Sequence, residues 1–193
     1  MRNKKHRIDA VSPSGLRTFF QRLVSPAFAA VGLADRELVD YATDLLSRFA
    51  HTGQLYRIRN AQGKPLESIA EMMMEMVRYQ APEVPYKFDR ELEIRRHSGD
   101  YALFMSGVFR AYVEHHSLLN YYLAEGRRTY SAVAELKQLS FAADAKIFQA
   151  LAADFERLSG ALDYMRKVYM RPELHDGSYR DLLRKMDQQS KAM

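Results

Sequence analysis

The chain has 193 residues, 47% hydrophobic and 27% charged, enough for one well-filled core and ordinary for a globular protein. It has no cysteine, which excludes disulfides, Cys-ligated zinc, iron–sulfur clusters and a cysteine nucleophile. The formal net charge is +5, and 9 glycines and 6 prolines are too few for a turn-rich β-sandwich.

Arg2, Lys4, Lys5 and Arg7 crowd the start, and residues 1–11 are expected to be a disordered, solvated basic terminus. A secretory leader is not expected. Pro13, Arg17, Gln21, Arg22 and Pro26 interrupt any continuous apolar core ahead of the run at 27–34. No stretch approaches the roughly 20 apolar residues of a membrane span, so the expectation is a soluble, cytoplasmic protein.

Ser12 followed by Pro13 reads as a capped first turn, opening a helix that runs to about 24 and is closed by Pro26. Asp35 caps a second helix carrying Leu38, Ala42, Leu45 and Phe49 at helical spacing, with a stop at Thr52-Gly53. Residues 61–64 form a turn, and a third helix spans about 65–79 with Leu66, Ile69, Met73 and Met76 on one side. Pro82 and Pro85 make 80–87 an extended linker, because proline disfavours helix in the residue before it.

A long helical pattern then covers 88–115, which Gly99 and Gly107 bend or split. The next helix, about 120–139, carries the seam Leu119, Tyr122, Gly126, Thr129, Val133 and Leu136. A following helix repeats the alternation of three and four with Phe148, Leu151, Phe155, Leu158, Leu162, Met165 and Tyr169. Such seams favour near-parallel, coiled-coil-like packing, either inside a bundle or across a homodimer. Pro172 and Asp176-Gly177-Ser178 end this helix, and 179–190 forms a last, basic, amphipathic one. The fold expected is all-α, a single domain over 1–193 built as a bundle of about six helices with long central members.

The segment Arg95-Arg96-His97-Ser98-Gly99-Asp100-Tyr101 is the most informative for chemistry. His97 and Ser98 fall where the stripe through Ile94, Tyr101, Met105, Val108 and Tyr112 requires a core position, and Asp100 lies three residues from His97 on the same face. A buried His–Asp pair suits a general base, a metal ligand or a plain structural hydrogen bond, and the structural role is the commoner one. Ser98, Ala102 and Ser106, with Gly99 and Gly107 beside them, allow close approach of the helix carrying Gly126; the alternative is a void filled by a flat ligand.

Tyr101, Tyr121, Tyr122 and Glu125 are the candidate ligand-binding residues, with Arg128 beside them. Glu67, Glu71 and Glu75 form an acidic ridge that needs a basic partner such as Arg78. No Glu-x-x-His pair, His-Glu-x-x-His motif or phosphate-binding glycine loop occurs, so no metal site is assigned and the cofactor stays open.

The stretch Gly99-Asp100-Tyr101-Ala102-Leu103-Phe104-Met105-Ser106-Gly107-Val108-Phe109, with Tyr121-Tyr122 and Gly126-Arg127-Arg128, resembles a family of bacterial helical proteins over about 35–170. The resemblance implies a bacterial, cytoplasmic, α-helical protein and carries no activity, so no functional residue follows from it. The leading expectation is a homodimeric helical-bundle protein that binds a small-molecule ligand or regulates a partner. The rival is an enzyme with His97 as acid/base, Asp100 as its orienter and Arg128 as anion stabiliser. The third is nucleic-acid association through the basic termini, which Asp181 and Asp187 among Arg180, Arg184, Lys185 and Lys191 make the weakest.

Overall fold

The computed structural model describes residues 12–79 and 87–192; the basic terminus at 1–11 and nearly all of the linker at 80–87 lie outside the described residues. Among the described residues the chain is helical, with ten α-helices, a short 3-10 turn, and one isolated bridge between Arg59 and Pro65. The number exceeds the six or so expected because, of the seven helical patterns read along the chain, two divide and one short helix is added.

Helix α1 (Pro13–Ala30) is capped by Ser12, whose Oγ accepts from the Gly15 amide. It runs through Pro26 rather than ending there. Arg22 and Pro26 are both exposed, so the carbonyl that proline leaves without a donor faces solvent, while Ala27 and Phe28 are fully buried and hold the last turn in place. The stop comes from Gly32, at φ +74, where Gly32 N–H donates to Ala29 and Leu33 N–H to Phe28. Helix α2 (Arg36–Phe49) has the expected Asp35 cap, accepting from the Glu37 and Leu38 amides, and the expected buried residues Leu38, Ala42, Leu45 and Phe49.

At Thr52, in place of the expected stop, the chain forms the short α3 (Thr52–Leu55). Residues 58–66 make a small hairpin-like loop, in which Leu66 N–H donates to Ile58 and the Asn60 side chain accepts from the Gln62 and Lys64 amides. That pairing keeps Pro65 and Leu66 out of helix, so α4 (Ile69–Tyr79) starts later than the apolar spacing suggests. Ser68 accepts from the Glu71 amide, and Glu71 accepts from the Glu67 amide in turn. The acidic ridge finds its cations at Arg78, paired with Glu75, and Lys64, near Glu71.

Helix α5 (Phe88–Gly107) is the axis of the molecule: every residue from 97 to 107 is buried. It packs against α4, α7 (Leu119–Leu139) and α9 (Phe155–Val168). Gly99 lies in its middle without breaking it. After Gly107 the helix is interrupted at Val108 and Phe109, both buried, and α6 (Arg110–His115) follows. The second division falls at Asp154, between α8 (Ala145–Ala153) and α9, yet the seam Phe148, Leu151, Phe155, Leu158, Leu162 and Met165 stays buried across it. That seam is therefore satisfied within one chain. A 3-10 turn (Pro172–Leu174) leads to α10 (Gly177–Ala192), and one buried cluster runs from Leu16 on α1 to Met186 on α10.

Candidate functional site

Where α2, α5 and α7 meet, the core is polar. Asp100 Oδ1 accepts from the Tyr41 hydroxyl at 2.6 Å and the Tyr130 hydroxyl at 2.7 Å, and its Oδ2 accepts from Arg48 Nη2 at 3.0 Å. Asp100 is fully buried and Arg48 one-third exposed, so the charge is neutralised from the edge of the molecule inward. Burial, followed by the neighbouring Asp100 carboxylate, raises the ionisation of Tyr41 and Tyr130 above the usual range, which keeps both hydroxyls protonated as donors. Arg96 stacks over the Tyr41 and Phe148 rings at 5.8 Å, with its Nε buried and without a hydrogen bond.

His97 departs from the expected His–Asp pair. It is fully buried, and no hydrogen bond joins it to Asp100 among the described residues. Arg57 Nε donates to its Nδ1 at 3.3 Å, and its Nε2 lies 3.0 Å from the Leu55 carbonyl. A guanidinium only donates and a carbonyl only accepts, so the ring is the neutral Nε2–H tautomer with both nitrogens engaged. Burial, with Arg57 and Arg48 nearby, lowers its pKa to about 4 despite the opposing charge of Asp100. In this geometry the ring has no lone pair free for a substrate proton or a metal. Among the described residues no three His, Asp or Glu side chains converge in a way that would hold a metal ion.

The other sequence-predicted residues divide between core and surface. Tyr101 is buried and donates to the Glu67 carbonyl at 3.0 Å; Tyr122, also buried, lies 6.3 Å from it between ring centroids. Tyr121 is exposed, and Glu125 and Arg128 pair with each other on the outer face of α7, where Arg128 also reaches the Met73 sulfur at 3.3 Å. His97 and Asp100 thus share one buried layer, whereas Tyr121 and the Glu125–Arg128 pair belong to the surface.

Close packing accounts for the small residues. A side chain at Gly99 would lie 2.6 Å from the Tyr130 ring, and one at Gly107 would lie 2.6 Å from Leu162 of α9. Gly126 faces the Phe155 ring of α9, not the glycines of α5, so rings fill the notches at Gly99 and Gly126, while Leu162 and, at 3.3 Å, the Ser159 carbonyl fill the one at Gly107. Tyr41, Arg48 and Arg57 are functional-layer residues that sequence reasoning missed. Tyr41 and Arg48, seven apart beside the α2 stripe, carry a legible sign of their inward edge; Arg57 sits in an irregular loop and carries none.

Open clefts lie elsewhere. One of about 630 Å³ separates the end of α9 and the 3-10 turn from α10, with Val108, Phe109, Met170, Leu183 and Met186 as its apolar floor. Arg166, Lys167, Arg171 and Arg184 stand around it with Glu173 and Asp187. Two more, of about 620 and 470 Å³, run along the outer face of α7 and share Arg127, Ser131 and Glu135. No helix of the described residues is long and apolar enough to cross a membrane. Comparison with protein-family models, with curated proteins and with solved structures found no match to this chain, so function is argued from its own residues.

Proposed function

We propose that this chain is a helical ligand-binding or regulatory protein that takes an amphipathic anion in the cleft between α9 and α10, and that it works as a homodimer. The observation that carries the ligand reading is the composition of that cleft, a floor of five apolar side chains under a rim of four cations and two acids. Its volume of about 630 Å³ lies in the range of small-molecule pockets. Arg166 is paired with Asp187 and Lys167 with Asp163, whereas Arg171 and Arg184 hold no ion pair among the described residues. Those two guanidiniums suit a carboxylate, phosphate or sulfonate whose apolar body lies on Met170, Leu183 and Met186.

The polar centre around Asp100 is, in this reading, a structural clamp. An acid–base role for His97 has no support from a ring whose two nitrogens are both engaged. Among the basic residues of α10, Arg180 is held by Asp176 and by the His175 carbonyl.

Decanoate and decylammonium, equal in length and opposite in charge, test the proposal against methyl-labelled methionine by NMR. Decanoate should shift the Met170 and Met186 methyls and decylammonium should not, and R171E/R184E should weaken the decanoate response at least tenfold. Equal responses to the two amphipaths, or shifts confined to other methionines, would overturn it.

A further inference from the structure

Helix α7 presents Asn120, Ala124, Arg127, Ser131, Glu135 and Gln138 along its outer side, and the two clefts there share Arg127, Ser131 and Glu135. At 100° per residue, Ser131 lies on the midline of this face, with Arg127 about 40° to one side and Glu135 about 40° to the other. Both charged side chains are exposed or half-exposed. Other charges of α7 have partners: Glu125 with Arg128, and Lys137 with Asp144. Arg127 and Glu135 have none among the described residues, and neither does Glu156 of α9, which lines the same groove.

We propose that a second copy of this chain seats its own α7 in this groove, antiparallel, with the twofold axis passing through Ser131. The inference rests on the homodimer reading above and names its surface. A twofold perpendicular to a helix sets residue 131−k of one copy opposite 131+k of the other. Arg127 then faces Glu135 of the second copy, and the same pair repeats across the axis. Ala124 faces Gln138, and Ser131 faces itself, where its small side chain lets the helices approach closely. The two charges of α7 left without an ion pair among the described residues are therefore the two that this symmetry brings together. The seam Phe148 to Tyr169, the other candidate surface for a dimer, is used up in the chain's own core.

Charge reversal tests the register, read by sedimentation equilibrium of the full chain from one to several hundred micromolar. R127E alone and E135R alone each set like charges together twice, and each should raise the dimer dissociation constant at least tenfold. The double variant R127E/E135R restores both pairs in the reversed sense and should return to within about threefold of wild type. An equimolar mixture of the two single variants should associate between unlike chains, since each of the two contacts then joins opposite charges. Unchanged thermal unfolding of the single variants, which alter solvent-facing residues, at a concentration where wild type is monomeric checks that the fold is intact. A wild-type dimer indifferent to both single variants, or a mixture no tighter than its components, overturns this register while leaving self-association standing. A wild-type chain that stays monomeric throughout overturns the homodimer reading and the register with it.

Discussion

Asp100 accepts from three donors on two other helices, and that arrangement sets what each substitution around it does. Asp100→Ala leaves two buried hydroxyls and a guanidinium without their acceptor, and should cost roughly 3–5 kcal/mol in urea unfolding. Tyr130→Phe removes one hydrogen bond and leaves the ring in its notch, so it should cost only about 1–2 kcal/mol. His97 contributes through its neutrality. Its folded pKa of about 4 lies below the ordinary value of 6.5, so between these limits the unfolded chain binds a proton that the folded chain refuses. Stability from this residue is therefore present in full above pH 6.5 and is lost as the pH falls toward 4. The loss amounts to about 3 kcal/mol, on the scale of roughly 1.4 kcal/mol per pH unit. Unfolding at pH 7 and pH 4.5 should show a smaller acid loss in His97→Gln than in wild type; an equal loss would assign the acid sensitivity to the carboxylates.

Among the helices, two glycines with opposite surroundings test whether the small residues serve close packing. Gly126→Ala drives a methyl into the Phe155 ring, within a seam buried on both sides, and should cost about 1–3 kcal/mol by overpacking. Gly160, inside α9, has open space where a methyl would stand, with nothing within 4 Å, and it lies in ordinary helical backbone. Gly160→Ala should therefore stabilise by up to about 1 kcal/mol. Thermal unfolding of the pair gives the sign directly. Apolar spacing alone makes α2, α7 and the α8–α9 seam legible, because each has one solvent side and one core side. The breaks are harder to read. Pro26 has the chemistry of a stop, yet Gly32 is where the helix ends. The turn at Val108 follows directly on Gly107, one of the two glycines expected to bend or split the pattern, whereas the division at Asp154 has neither glycine nor proline beside it to announce it.

At the scale of the molecule, one buried cluster joins α1 to α10 through α5. We propose that it unfolds as one cooperative unit: helical circular dichroism and near-ultraviolet tyrosine signals should trace coincident urea transitions, and separated midpoints would divide the chain into independently folding parts. The amino-acid sequence by itself determined the all-α class, the cap at Asp35, the register of the buried seams and the presence of polar groups at core positions around His97. Local periodicity and side-chain chemistry act along a single helix, so they can be read there. Tertiary structure alone decided that Asp100 pairs with Tyr41, Arg48 and Tyr130 rather than with His97. It alone set Glu125 and Arg128 on the surface, and placed the open clefts at α9–α10 and along α7. Those outcomes depend on which helices become neighbours, and the contacts that decide it join residues 30 to 59 positions apart in the chain.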